Sequence, residues 1–514
     1  MRIRNSLLNI ISGLVGQSLT LGLGFIVRTI FIYQLGSTYL GVNGLFGNIL
    51  TLFSFAELGF GQAIVFALYK PIAENDEKKI VSLMALFRKV YTAMFFVILV
   101  LGLSLYPFLD FFVKDISVIP HLELIYLMYV ASSACTYLFA YKNTYLIAAQ
   151  KSYVSNMISY FFSVGIALLQ IIVLLVFCNY YIYLGIQILF GILQNITIAI
   201  KCNRIFPFLT QKMVSPLSQG EKRDIVKNVK ALAIYKIGTL SLNATDNIII
   251  SKFVGILSVG YYSNYLLLSN SVGSFLSVIF GNITASIGNL NADADDKVKY
   301  RMFFIINMAT FWLYSVVAIT LFCCMTSFIQ VWIGDEYVLS VDVVFVMILN
   351  MYIGGMLYSS FNYRQTMGLF RQGKIRPIIS AVMNIGVSIW LAQYWGIAGV
   401  LWGTVITRLA TNAWFDPYVV FKRGLKRSPA SYFYDYLFKF VVFLTVGWGC
   451  FWITSFLPCS SFLQVLVKAI ISFLFVNVTY LLLFYRTSEF QYLMNVFLNT
   501  LIPQHFDLTL FISS

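Results

Sequence analysis

The sequence predicts an all-α polytopic membrane protein of about fourteen transmembrane helices, arranged as two six-helix pseudo-symmetric lobes followed by two C-terminal helices. Three observations carry this prediction: recurrent apolar runs of twenty or more residues, a basic excess confined to alternate connections, and a long-period internal repeat. Of 514 residues, 60% are hydrophobic, 17% aromatic and 11% charged, too few polar side chains to clothe a water-soluble fold of this size. The net charge of +15 does not indicate nucleic acid as a partner, because that would need basic residues gathered on one soluble face. Here they lie scattered between apolar runs.

The chain opens "MRIRNSLLNIISGLVGQSLTLGLGFIV", a basic start leading into an apolar run, as in a signal peptide. The run continues to Tyr33 with no small-residue cleavage site, so a retained first span over 7–33 is expected. "YQLGSTYL" then turns the chain into a second span, 40–68, and further spans follow at 90–112, 122–148, 155–177 and 181–201. A polar stretch, "RIFPFLTQKMVSPLSQGEKRDIVKN", separates these six from the next eight, at 228–252, 258–288, 302–331, 340–367, 376–394, 397–421, 433–456 and 461–485. The expected organisation is an N-terminal lobe over 1–204, a cytoplasmic linker over 205–227, a C-terminal lobe over 228–427, and two additional helices with a tail over 428–514.

The connections test this count. One alternate set carries Arg2, Arg4, Lys78, Lys79, Lys151, Arg204, Lys222, Arg301, Lys374, Lys422, Arg427 and Arg486, among others, whereas the other set carries essentially Lys114 and Lys252. A missed span would scramble this split, and the positive-inside rule then puts both termini in the cytoplasm. No connection exceeds about twenty-five residues, so no soluble catalytic domain hangs from the membrane part.

"RTIFIYQLGSTYLGVNGLF" from Arg28 lies over "NIIISKFVGILSVGYYSNY" from Asn247 at an offset of 219, pairing Gly36 with Gly255 and Gly41 with Gly260. At nearly the same offset "AYKNTYLIAAQKS" from Ala140 lies over "SFNYRQTMGLFRQ" from Ser360. Six spans per repeat return the chain to its starting side, so the repeats have the same orientation, related by an axis along the membrane normal. That is the layout of alternating-access transporters, with a site at the midplane.

Ionisable residues inside spans are the functional candidates, since a charge at the bilayer centre costs about 2.5–3.5 kcal/mol on insertion scales. Arg28, Arg408, Lys236, Lys142 and Arg364 are the candidate cationic groups of a substrate lumen. Lys142, Lys236 and Arg364 stand near cytoplasmic ends, where snorkelling to the interface is the alternative. Glu57 and Asp246 are candidates for ion coupling or for an ion pair such as Arg28 with Glu57. Guanidinium groups bind phosphate bidentately, so a cationic lumen suits an anionic, phosphate-bearing cargo.

Other motifs lead nowhere. "GLFRQGKI" fails the phosphate-loop pattern at Ile375 and lies between spans, and "NADADDK" is a ten-residue-scale loop without the scaffold that glycosyl transfer needs. His121 and His505 have no partner nucleophile, and the seven cysteines show no metal-ligand spacing.

The opening "RNSLLNIISGLVGQSLTLGLGFIVRTIFIYQLGSTYLGVNGLFGNILTLFSFAELGFGQAI", the cytoplasmic "YKPIAENDEKK", "ATDNIIISKFVGILSVGYYSNY" and "WGIAGVLWGTVITRL" together resemble Wzx-type polysaccharide flippases of the multidrug/oligosaccharidyl-lipid/polysaccharide (MOP) exporter superfamily, over essentially the whole chain. The resemblance implies a MATE-like core of two six-helix lobes around a cationic lumen. The activity it implies is a transporter's, not an enzyme's. Undecaprenyl-pyrophosphate-linked oligosaccharide would pass from the inner to the outer leaflet of the bacterial cytoplasmic membrane, for capsule, exopolysaccharide or O-antigen synthesis. Arg28 matches the first-span lumen arginines that are functional in related lipid II flippases. The implied partners are the lipid-linked oligosaccharide, membrane lipids, and a polysaccharide polymerase with its chain-length regulator; no cofactor is implied beyond proton or sodium coupling. A lipid II flippase and a cation-coupled multidrug exporter are the alternatives within the superfamily, the latter calling for acids in excess in the lumen. A membrane polymerase or glycosyltransferase would need a sizeable outer loop, which the sequence lacks.

Overall fold

A computed structural model describes residues 2–53, 60–112, 119–211, 245–293, 295–369 and 375–501, with a few isolated positions between them. Every regular element among these residues is helical. The first is α1 (Arg2–Phe53), followed by α2 (Phe60–Ala73), α3 (Glu77–Leu105), α4 (Leu109–Phe112), α5 (Leu122–Thr136), α6 (Ala140–Ala148), α7 (Ser152–Phe177) and α8 (Tyr180–Ile205). Then come α9 (Asp246–Phe253), α10 (Ile256–Asp293), α11 (Asp296–Ile333), α12 (Val341–Met356) and α13 (Tyr358–Thr366). The remainder are α14 (Arg376–Thr407), α15 (Ala413–Val419), α16 (Ala430–Ser455), α17 (Phe462–Phe484) and α18 (Ser488–Leu501).

Nine helices among the described residues are long and apolar enough to cross a membrane, or ten if the pair α5 and α6, bent by 41°, is one span. The chain is thus a multi-pass membrane protein. The expected fourteen spans divide more finely because two long helices each hold two limbs. In α1 the limbs meet at Gly36 (φ 79°), inside the predicted "YQLGSTYL" turn, and in α14 they meet at Gly396 (φ 54°), inside "QYWG". Both turns need a left-handed backbone, which glycine adopts without a Cβ penalty. The expected seventh span, 228–252, lies largely outside the described residues.

The chain forms two compact units, 1–263 with 375–400, and 264–374 with 401–514. These are contact boundaries, and they fall elsewhere than the repeat-based lobe boundaries because α9 and the start of α10 pack on α1. Within the first unit, α1 runs along α7, α7 along α8, and α5 lies between α3 and α8. One apolar cluster in it joins Ile64, Leu83, Phe87, Tyr145, Leu146 and Ile198. In the second unit α11 is the axis, with α12, α16 and α17 packed on it. Its 38 residues span about 57 Å, well beyond the ~30 Å hydrocarbon layer, so one end projects.

The repeat is visible atom by atom in the first unit. A Cβ on Gly41 would collide with the Ile256 carbonyl oxygen, and a Cβ on Gly260 would collide with the Ser37 carbonyl oxygen. Ser37 and Ile256, like Gly41 and Gly260, are separated by the offset of 219 read from the sequence. The contact is therefore reciprocal, as at a two-fold axis. Two helices come this close only where small residues let backbones touch and Cα–H groups meet carbonyls. Replacing Gly260 with valine should cost about 1–3 kcal/mol through overpacking against backbone that cannot move aside. Thermal unfolding in detergent should show a clear drop in midpoint for Gly260→Val, and none for Gly22→Ala, whose Cβ would meet nothing within 4 Å.

Candidate functional site

Arg28 lies eight residues before the Gly36 turn, about 12 Å along the helix from it. It donates from Nη2 to the Ser263 hydroxyl on α10, and the same hydroxyl donates to the Gly260 carbonyl at 2.8 Å. Arg28 is thereby tied to the glycine crossing. The repeat-related bond runs the other way: Asn247, the counterpart of Arg28, donates from Nδ2 to the carbonyl of Gly44, the counterpart of Ser263, at 3.4 Å. Polar positions of the first span recur in the seventh, and here each reaches across to the other repeat.

A tyrosine shell backs the guanidinium. Tyr129 on α5 and Tyr183 on α8 lie within electrostatic reach of Arg28. The Tyr129 and Tyr180 hydroxyls share a hydrogen bond of 3.1 Å, and the Tyr180 and Tyr183 rings stack with centroids 5.9 Å apart. Phe31, one turn beyond Arg28, packs edge-on against both rings, and Phe46 on the second limb of α1 packs edge-on against Tyr126 and Tyr129. All three tyrosines are buried. Sequence reasoning missed this shell. Its signal was the i, i+3 spacing of Tyr180 and Tyr183 in "NYYIYLG", which puts both rings on one helix face.

Asp246 is the first residue of α9, in a polar neighbourhood. Thr245 Oγ1 donates to Asn384 Oδ1 at 3.1 Å, and Ser388, one turn beyond Asn384, donates to the Val400 carbonyl at 3.0 Å. Thr245, Asn247, Asn384 and Ser388 are all buried. Oxygen-rich surroundings of this kind suit a hard cation or a proton-bearing carboxyl.

Lys142 and Arg364 occupy matching places. Each lies on a short helix, α6 or α13, that continues its span after a break. Lys142 Nζ donates to Asn203 Oδ1 at 2.6 Å near the end of α8, and Arg364 Nη1 is 2.6 Å from Asp416 Oδ1 on α15. In both repeats the fourth span is thus tied to the sixth. The Arg364 pair is buried, with a further bond from Nε to the Leu369 carbonyl and the Phe415 ring 5.5 Å away. The sequence analysis did not single out Asp416, although an acid inside "NAWFDPYVV" is itself a signal. Arg408 opens a π-helical turn, Arg408–Asn412, and donates from Nη1 to the Asn350 carbonyl at 2.7 Å. Such turns often mark functional positions. Lys236 and Glu57 lie outside the described residues.

No protein family's sequence pattern matches the chain, and no curated protein matches it. Solved structures do. "Lipid II flippase MurJ, inward closed conformation" aligns over 92% of this chain and 99% of its own, with a TM-score of 0.61 at 15% identity. The fold is that of MurJ and the MATE transporters. A multidrug resistance MATE family transporter of the MOP superfamily, in its inward-facing conformation, covers 79% of this chain and 95% of its own, with a TM-score of 0.58 at 13% identity. The Vibrio cholerae MATE transporter VcmN, in its bent form, covers 83% and 97%, with a TM-score of 0.55 at 11% identity. The expected MATE-like architecture is therefore present, and its structural neighbours are membrane transporters and a flippase.

The Arg364–Asp416 pair generates a stability prediction. Asp416→Leu alone should cost about 3–5 kcal/mol, because it strips a buried guanidinium of its carboxylate, whereas Arg364→Met with Asp416→Leu should come close to wild type. Thermal unfolding of the two single variants and the double variant measures the coupling.

Proposed function

We propose that this chain is a flippase that carries undecaprenyl-pyrophosphate-linked oligosaccharide units from the inner to the outer leaflet of the bacterial cytoplasmic membrane, for capsule, exopolysaccharide or O-antigen synthesis. The observation that supports this reading most is Arg28, an intramembrane guanidinium that bonds to the Ser263 hydroxyl where α1 and α10 cross. A diphosphate offers the same donor a charge-assisted, bidentate partner, roughly twice as strong as a neutral one. Arg408 is a second cationic candidate, and Lys142, Lys236 and Arg364 are the remaining candidates of the cationic set.

In this reading the headgroup enters from the cytoplasm and exchanges with Ser263 on Arg28, and the contact at Gly41 and Gly260 parts to release it outside, while the polyprenyl tail stays in lipid. With the inside negative, outward movement of about two negative charges gains roughly 2.3 kcal/mol per charge per 100 mV. The empty cationic site must then return. Asp246, with Thr245 and Asn384 beside it, is the group we assign to binding the proton or sodium ion that accompanies the return, and Glu57 is the second such candidate. A polysaccharide polymerase and its chain-length regulator would consume the product.

A lipid II flippase is the second reading, favoured by the likeness to MurJ. The cationic candidates weigh against a cation-coupled drug exporter. Lipid-linked oligosaccharides from a deletion strain, tested for sidedness with an impermeant sugar-modifying enzyme, separate these. The first reading expects a completed unit trapped on the inner leaflet, rescued by wild type and not by Arg28→Ala. An unchanged oligosaccharide pool overturns it, and lethality with accumulated lipid II supports the second. Asp246→Asn is expected to remove the ion dependence of transport, and Asp246→Asn with Glu57→Gln leaving both transport and ion dependence intact would dismiss ion coupling at these sites.

A further inference from the structure

The second unit carries an apolar groove of about 450 Å³ that the flippase reading does not use. Its walls are Ile319 and Phe322 on α11, Phe345 and Leu349 on α12, and Phe443 and Phe451 on α16. Along α16 it extends from Phe443 to Phe451, about 12 Å, and its floor is Gly447, which keeps it open. A volume of this size holds one hydrocarbon chain or a drug-sized molecule, not a polypeptide segment.

The mouth of the groove is not apolar. Asp342, in the first turn of α12, lines it, and its residue is exposed there beside Trp448, which is 72% exposed. The helix N-terminus favours the carboxylate, but that does not occupy its outward-facing oxygens. The connection before α12 carries Asp335 and Glu336, and no lysine or arginine occurs between Ile329 and Tyr363. A carboxylate at the mouth of a narrow apolar slot disfavours anionic headgroups, including any diphosphate lipid. It complements an amphiphile with a positive head and a hydrocarbon tail.

We propose that this groove binds one phospholipid with a primary ammonium headgroup, of the ethanolamine class, from the leaflet that faces the Asp335–Asp342 end. Its ammonium donates to Asp342 and stands against the Trp448 indole, whose face attracts cations, while one acyl chain fills the slot between Phe322, Phe345, Phe443 and Phe451. The site joins α16, the first of the two helices beyond the repeat, to α11 and α12 through a lipid, and so gives that added helix a ligand of its own. It stands independently of the cargo that the protein moves.

Native mass spectrometry of the full-length protein tests this after exchange into vesicles of phosphatidylethanolamine, phosphatidylglycerol or phosphatidylcholine with identical acyl chains. The expected result is one retained phosphatidylethanolamine, favoured about fivefold over phosphatidylglycerol, equivalent to ~1 kcal/mol. Asp342→Asn should bring the two lipids to parity, and Asp342→Lys should reverse the preference. Gly447→Leu should lower retention of every lipid, because its side chain fills the slot. Equal retention of phosphatidylglycerol by wild type, or phosphatidylethanolamine retention unmoved by all three substitutions, would overturn the proposal.

Discussion

Where α1 and α10 cross, two glycines let the backbones touch, and the arrangement of the first unit follows from that approach. Gly41 sits against the Ile256 carbonyl and Gly260 against the Ser37 carbonyl, each pair the image of the other across the repeat. A side chain at either position would push the helices apart by a methyl group or more. Arg28 would then no longer reach Ser263, nor Asn247 the Gly44 carbonyl. Polar contacts inside hydrocarbon are strong only where the geometry is fixed, since water cannot fill in for a stretched bond. The glycines supply that geometry, and the polar side chains make use of it.

Two intramembrane cations of the second unit have carboxylates within reach, Arg364 with Asp416 at 2.6 Å and Lys439 with Asp435 at 2.7 Å. The first pair joins α13 to α15 and is costly to break from either side, so it fixes those helices relative to one another. The second lies within α16, one turn apart, and reaches α11 through Asn307, which donates from Nδ2 to Asp435 at 2.9 Å. Lys142 makes a similar tie with the neutral Asn203, and the matching break within the fourth span of each repeat gives the cation its place: the break leaves a short helix that side chains help to hold on its neighbours. Arg28 bonds to the Ser263 hydroxyl and Arg408 to the Asn350 carbonyl, so each of these cations also reaches another helix.

Much of this was legible in the sequence. The offset of 219 paired Gly36 with Gly255 and Gly41 with Gly260, because a backbone that must touch another or turn left-handed has one suitable residue, and that residue recurs in both repeats; the crossing itself appears only in the fold. The loops "YQLGSTYL" and "QYWG" fell on Gly36 and Gly396 for the same reason. The tyrosine shell was not legible, since Tyr129 and Tyr180 are separated by fifty-one positions and meet only through the packing of α5 on α8. Asp416 escaped notice because its run is apolar and carries Pro417, and a π-helical turn on either side, Arg408–Asn412 and Val420–Gly424, shifts the faces that a regular helical period would assign. Contact boundaries differ from repeat boundaries on similar grounds: a repeat is a property of the chain, whereas a compact unit is a property of which surfaces the glycines bring together.

The tie between Arg28 and the crossing constrains how a site of this kind can work. Ser263 accepts from Arg28 while donating to the Gly260 carbonyl, so one hydroxyl links the charged group to the glycine crossing. Parting the helices at Gly260 would therefore also break the bond from Arg28 to Ser263. The bond to the hydroxyl is worth about 1 kcal/mol net, and it exists only because the glycines bring α1 and α10 this close.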